Sequence, residues 1–292
     1  MAAARATARG HVPQVADLHG RPFSYLDTGA VDDGAGTVVF LHGLLSSHRS
    51  WTHLVDDVAR TGYRLVAPDL FGHGASSKAR GDYSLGAHAA AVRDLLDHLK
   101  IERASFVGHS LGGGIVLQLS YLFPERVDRI VLVASGGLGR ELGAVLRAPT
   151  LPGAELVMPL VASGWVRRSG DRIGRGLTRI GRAPGHDVSE AWRGFLQLGD
   201  AESRRAFLAT VRSVIDPGGQ SVSAAERLEE VDRPTLVVWG ARDRMIPLAH
   251  GVRAVQRIPH SRLEVFEDAG HFPHLDEPER FTRVLNEFIR ST

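Results

Sequence analysis

Cysteine is absent from the 292 residues, which removes disulfide frameworks, thiol nucleophiles and thiolate metal sites from consideration. Lysine is almost absent too: Lys78 and Lys100 stand alone, and the basic side chains are otherwise arginines. With a formal charge of only +2, that arginine bias gives no nucleic-acid footprint. No stretch of roughly eighteen uncharged apolar residues occurs, so no membrane-spanning helix is expected. The Ala/Arg-rich start, Met1 to Gly10, lacks the apolar centre of a secretory signal; residues 1–12 are expected to be a disordered leader. What remains is ordinary for a globular chain, 43% hydrophobic and 23% charged, and a soluble cytoplasmic protein is the default expectation.

Short continuous apolar runs of the kind buried on both faces recur at residues 37–41, 63–67, 104–107, 129–134, 235–239 and 263–266. Helical patterns at 51–60, 84–100, 111–122 and 279–290 alternate with them, after two short strands within 11–29. Such alternation predicts a mostly parallel sheet with helices on both faces. It fails over about a hundred residues. Residues 135–232 carry only helical patterns, at 141–147, 154–162, 165–180, 188–198, 202–214 and 224–231. Residues 1–134 and 233–292 are therefore expected to form the core, and 135–232 a helical cap over the crevice at the strand ends.

The chemistry concentrates at those ends. Phe106-Val107-Gly108-His109-Ser110-Leu111-Gly112 reads as a strand, a sharp Gly-x-Ser-x-Gly turn and an apolar helix, which is the context of a nucleophile elbow. A serine N-cap would share the pattern. A hydroxyl nucleophile needs a base, and the base needs an orienting acid. His271, just past the last core strand, is the candidate base, with His274 as its competitor. Asp243 follows another strand end and is the candidate acid; Asp268 is the alternative. After Ala134 the chain offers only Ser135 and glycines, which favours Asp243. Backbone N–H groups of Leu44 and Leu111 could receive an oxyanion. His42, Gly43, Trp51, His109, Met158, Trp165, Trp192 and Phe272 are candidates for contacting substrate, His109 in a packing or hydrogen-bonding role.

Phe40-Leu41-His42-Gly43, Ala67-Pro68-Asp69-Leu70-Phe71-Gly72-His73-Gly74, Gly108-His109-Ser110-Leu111-Gly112-Gly113, Pro124-Glu125-Arg126-Val127 and Ala269-Gly270-His271-Phe272-Pro273 occur in that order. Together they resemble the α/β-hydrolase-fold superfamily. The resemblance implies an eight-stranded, mostly parallel sheet, a helical cap inserted after the sixth strand, an oxyanion hole, and no metal or organic cofactor. Serine at the elbow argues against haloalkane dehalogenases and epoxide hydrolases, which use aspartate. Meta-cleavage hydrolases typically have asparagine before the serine and tryptophan after the histidine, where this chain has His109 and Phe272. Cofactor-free haloperoxidases usually have an aromatic residue before the serine. An ester hydrolase acting on a small-molecule, apolar ester is the expectation. Carbon–carbon or thioester cleavage, acyl transfer, and ligand binding with negligible turnover are its rivals.

Arg168, Arg172, Arg175, Arg179 and Arg182 recur at four- and three-residue spacing and share one helical face. They would meet an anionic thioester, carrier protein or membrane surface, or else form a solvated basic face, the commoner fate of such stripes and the one favoured here. Stable membrane insertion is not expected, and oligomeric state leaves no trace in the sequence.

Overall fold

The computed structural model of the protein describes residues 12–29, 36–179 and 184–291. The expected leader, but for Val12, and Arg182 of the basic stripe lie outside them. Eight strands form the main sheet: β1 (Gln14–Leu18), β2 (Arg21–Asp27), β3 (Thr37–Leu41), β4 (Arg64–Pro68), β5 (Ala104–His109), β6 (Val127–Val133), β7 (Thr235–Gly240) and β8 (Ser261–Phe266). Their spatial order is β1-β2-β4-β3-β5-β6-β7-β8. β2 runs antiparallel to both neighbours, and every other pairing is parallel.

Side-chain alternation along the strands builds two cores. Val39, Leu41, Phe106, Ile130, Leu132, Val237 and Trp239 face one layer of helices, chiefly α2 (Leu85–His98) and α3 (Leu111–Leu122). Val38, Phe40, Val107, Val131, Val133, Leu236 and Val238 face the other, made by α1 (Val55–Arg60), the 3₁₀ turn His48–Leu54 and the C-terminal helix Pro278–Arg290. Ser84 caps α2 by accepting the Ala87 N–H at 3.3 Å. α3 is apolar almost all round because both its faces are covered, and it stops at Phe123, before Pro124.

Trp51 belongs to the second core. It is fully buried, 5.3 Å from the Phe40 ring and stacked at 4.4 Å on His274, so it cannot contact substrate as expected. The physical reason is area: an indole on the sheet-facing side of a short helix gains more by core burial than a crevice offers.

Between β6 and β7 the chain forms α4 (Ala144–Arg147), α5 (Ala154–Val161), α6 (Gly164–Arg179), α7 (His186–Leu196) and α8 (Ala201–Val214). One feature departs from the all-helical expectation: Ile215–Asp216 and Gly219–Gln220 pair as a small antiparallel ladder. Ala162, Leu198, Phe207, Leu208, Val211 and Ile215 give these helices a small core of their own. Leu44 and Leu45, from the loop after β3, pack against it.

Several histidines are part of the packing. His42 Nδ1 donates to the Gly43 carbonyl at 2.7 Å, and its Nε2 accepts the Leu70 N–H at 3.0 Å, so the ring is bonded as the neutral form. His73 lies 5.2 Å from it and His88 a further 6.4 Å on, all three buried. Burial lowers their pKa values, to about 4 for His42 and about 3 for His73 and His88. Below pH 6.5 the unfolded chain binds protons that the folded chain refuses, so this stability is complete above pH 6.5 and is lost as pH falls toward 4. At pH 5 each such histidine costs up to roughly 2 kcal/mol. The expected outcome is a melting temperature that falls steeply between pH 7 and pH 5 in scanning calorimetry; a flat profile would contradict neutral burial of these rings.

Candidate active site

Ser110 stands between β5 and α3 with φ 53° and ψ −114°. A non-glycine residue held there stores about 1–3 kcal/mol of strain, which persists only where surrounding bonds over-determine it. Those bonds are present. The Ser110 N–H donates to Val133 O at 3.0 Å, and its carbonyl accepts from Gly113 at 3.0 Å and Gly136 at 2.8 Å. The turn is closed so tightly that a side chain at Gly108 would enter the Gly112 backbone, and one at Gly112 would enter the Leu41 carbonyl.

His271 and Asp243 come from the loops after β8 and β7. His271 Nδ1 donates to Asp243 Oδ2 at 2.8 Å, with both side chains buried. Asp243 Oδ1 accepts the Met245 and Ile246 N–H groups at 2.8 and 3.0 Å. A carboxylate bonded on both oxygens cannot rotate, and it fixes the imidazole tautomer, leaving the Nε2 lone pair for proton transfer. Among the described residues neither Nε2 of His271 nor the Ser110 hydroxyl has a hydrogen-bond partner. Asp268, the alternative acid, is exposed and paired with Arg242. His274 is fully buried beside Trp51 in the core.

His109 ties the elbow to the base loop: its Nε2 donates to the His271 carbonyl at 2.9 Å, and the two rings lie 4.8 Å apart. Burial, then the neighbouring His271, hold the His109 pKa well below the usual histidine range. Phe272 packs against His109 at 4.8 Å and edge-on to His271 at 5.3 Å. Leu111 is the first residue of α3, so its N–H has no acceptor within the helix. A Cβ at Gly43 would lie 3.1 Å from Ser110 Cβ, which brings the Gly43-Leu44 backbone alongside the serine.

Helix α7 braces both sides of this arrangement. At its start, Asp187 Oδ1 accepts the His271 N–H at 2.9 Å. Desolvation raises the Asp187 pKa, while the bond from His271 opposes that rise. Asp276 Oδ2 accepts the adjacent Gly270 N–H at 2.9 Å and its Oδ1 takes His186 Nδ1 at 2.8 Å. Beyond the other end of α7, Gln197 Nε2 donates to Leu45 O at 3.1 Å, and Gly194 approaches Leu45 so closely that a Cβ there would lie 2.6 Å from its carbonyl oxygen. Asp187, Gly194 and Gln197 were not among the expected site residues. No local pattern marks them.

A groove of about 1670 Å³ runs between α4, α6, α7 and the loops after β7 and β8. Trp192 lines it, with Val161, Ile173, Leu177 and Phe195. It reaches Gly270 and Asp187 but is bordered by neither Ser110 nor His271, so side-chain geometry rather than groove size defines the site. Of the other residues expected at substrate, Met158 packs inward on the small core of the inserted helices and Trp165 is exposed to solvent. His42 is buried and fully bonded beneath the site. Among the described residues no group of three or more histidines and carboxylates is placed to hold a metal.

Residues 36–166 and 175–278 match the alpha/beta hydrolase fold family. An uncharacterised protein of Mycobacterium tuberculosis is 38% identical over 89% of this chain and 77% of its own length. A 2-hydroxy-6-oxononadienedioate/2-hydroxy-6-oxononatrienedioate hydrolase of Paraburkholderia phymatum is 31% identical over 91% and 90%. The solved structure of Est816, an N-acyl homoserine lactone degrading enzyme, superposes with a TM-score of 0.70 at 26% identity, over 94% of this chain and all of that one.

A hydrogen bond to a charged acceptor contributes about 1.5–3 kcal/mol. Replacing Asp187 with alanine is therefore expected to speed amide exchange in the 266–272 peptide by roughly tenfold to a hundredfold. Exchange mass spectrometry measures this directly, and unchanged protection would show that the Asp187 bond does not hold the loop.

Proposed function

We propose that this chain, which belongs to the alpha/beta hydrolase fold family, hydrolyses carboxylic esters through an acyl-enzyme on Ser110. The observation that carries the reading is the buried His271–Asp243 pair, its tautomer fixed, on a loop bonded to the residue preceding a strained serine. In this reading Ser110 Oγ forms a bond to the ester carbonyl carbon as His271 Nε2 takes the hydroxyl proton. The oxyanion is received by the Leu44 and Leu111 N–H groups, each such donor contributing roughly 3 kcal/mol. Collapse breaks the bond to the alcohol, which leaves with the proton from His271. Water then adds to the acyl carbon, gives a proton to His271, and the acid departs as Ser110 regains its own. Residues 135–232 act as the cap that selects the substrate.

Carbon–carbon cleavage is the second reading, because the Paraburkholderia relative is a hydrolase of a 2-hydroxy-6-oxo dienedioate. Against it stand His109 and Phe272 at the positions where asparagine and tryptophan are typical of such enzymes. His109 is also fully buried and committed to the His271 carbonyl, so it offers nothing to a substrate carboxylate.

A fluorophosphonate probe is expected to label the wild type and not Ser110→Ala; no labelling, or equal labelling, would sink the nucleophile. Asp243→Asn is expected to lower kcat for p-nitrophenyl esters by roughly 10⁴-fold. Turnover of a 2-hydroxy-6-oxo dienoate without turnover of any ester in an acyl-chain-length series would move the function to carbon–carbon cleavage.

A further inference from the structure

α5 and α6 leave several of their large apolar side chains in water. Leu156 and Leu160, one turn apart on α5, are 76% and 72% exposed, and Trp165 at the start of α6 is 71% exposed. Val157 is exposed beside them; Val161 and Ile173 are exposed too, where they line the groove. Scattered apolar residues on a surface need no explanation, whereas two exposed leucines one helical turn apart, followed five residues on by an exposed indole, are the kind of clustering that marks an interaction face.

The charge around this set is predominantly positive. Residues 154–179 contain five arginines and two acids. Glu155 is taken by Arg212, and Asp171 accepts the Trp192 Nε1–H. Arg168, Arg172, Arg175 and Arg179 are all exposed, and the ion pairs of the inserted helices use other arginines, Arg193, Arg205 and Arg212. Trp165 precedes Arg168 by three residues and Arg172 by seven, so it lies on the arginine face of α6. Indole beside arginine, next to exposed leucines, suits the boundary between water and an acyl layer: the rings sit at headgroup depth and the guanidinium groups meet phosphate.

We propose that the α5–α6 face docks on an anionic lipid surface, lying on it rather than crossing it. No helix of the described residues is long and apolar enough to span a bilayer. A second copy of the chain is a poorer occupant, because a two-fold contact through this face would bring the arginines of both copies together. The proposal stands whichever bond the site cleaves.

Co-sedimentation of the full chain with large vesicles tests it, using equal phosphatidylglycerol and phosphatidylcholine against phosphatidylcholine alone. Binding to the anionic vesicles is expected at low salt, with release in 0.5 M NaCl. Arg168→Glu, Arg172→Glu and Arg175→Glu combined are expected to lower partitioning at least tenfold, and Leu156→Ser with Leu160→Ser at least fivefold. Trp51 and Trp239 are fully buried and Trp192 is half-buried and bonded to Asp171, so the emission shift due to the face is read as the difference between the wild type and Trp165→Phe, which should keep binding and lose most of the blue shift. Circular dichroism checks that the variants fold, and salt release of the wild type decides if they do not. Failure to bind anionic vesicles, equal binding to phosphatidylcholine, or a charge-reversed variant that binds like the wild type would overturn the proposal. So would a dimer in sedimentation velocity that Leu156→Ser with Leu160→Ser dissolves.

Discussion

The rest of the molecule is arranged around a backbone that must be held where it does not want to be. Ser110 at φ 53° survives because four hydrogen bonds fix its N–H and carbonyl, and their partners come from three places: Val133 at the end of β6, Gly136 just beyond it, and Gly113 and Gly114 in the first turn of α3. That requirement places β5 beside β6 and starts α3 immediately after the serine. It also brings the backbone of 41–42 close enough to exclude side chains at Gly112. Parallel β3, β5, β6 and β7 are the order that delivers these chain ends together.

The second constraint is electrostatic. Asp243 is fully shielded from water, a position that a carboxylate tolerates only with its oxygens occupied. His271 and the amides of Met245 and Ile246 supply that, so His271 and Asp243 stabilise one another's placement. His271 is held from three further directions: through its N–H by Asp187, through its carbonyl by His109, and by Phe272 against its ring. Two of these holds belong to the core. The Asp187 bond comes from an inserted helix, and the same helix reaches Leu45 at its far end. α7 is thus a strut between the base loop and the loop that carries Leu44.

What could be read in the sequence divides along the same line. β3, β5, β6 and α3 were legible because continuous apolar runs and one all-apolar helix have few other fates, and the Ser110, Asp243, His271 order could be read at strand ends. Trp51 misled because an aromatic residue after a strand end looks alike whether it faces a crevice or the core; packing on Phe40 and His274 decided it. Trp165 misled in the opposite direction, since amphipathic periodicity finds a helix but not which face is covered. Asp187 was illegible for a deeper reason. Its partner is 84 residues away, and one hydrogen bond between an inserted helix and a loop leaves no periodic mark.

These contacts are spread unevenly over the inserted helices. α7 is bonded to the core at Asp187 and His186 on one side and at Gly194 and Gln197 on the other. α8 is anchored by Phe207 and Val211 in the small core, to which Leu44 and Leu45 also pack. α5 and the arginine face of α6 have less of this: Met158 reaches the small core, but Leu156, Leu160 and Trp165 are exposed, and the interior glycines Gly174 and Gly176, in open space, each weaken α6 by about 1 kcal/mol relative to alanine. α6 meets α7 at one indole: the Trp192 Nε1–H donates to Asp171 and Gly170 lies close against the Trp192 ring, so a load on α6 reaches the helix that holds the His271 loop through that contact. In the proposed reading, the helices that would admit substrate and the helix that holds the His271 loop are therefore coupled at Trp192.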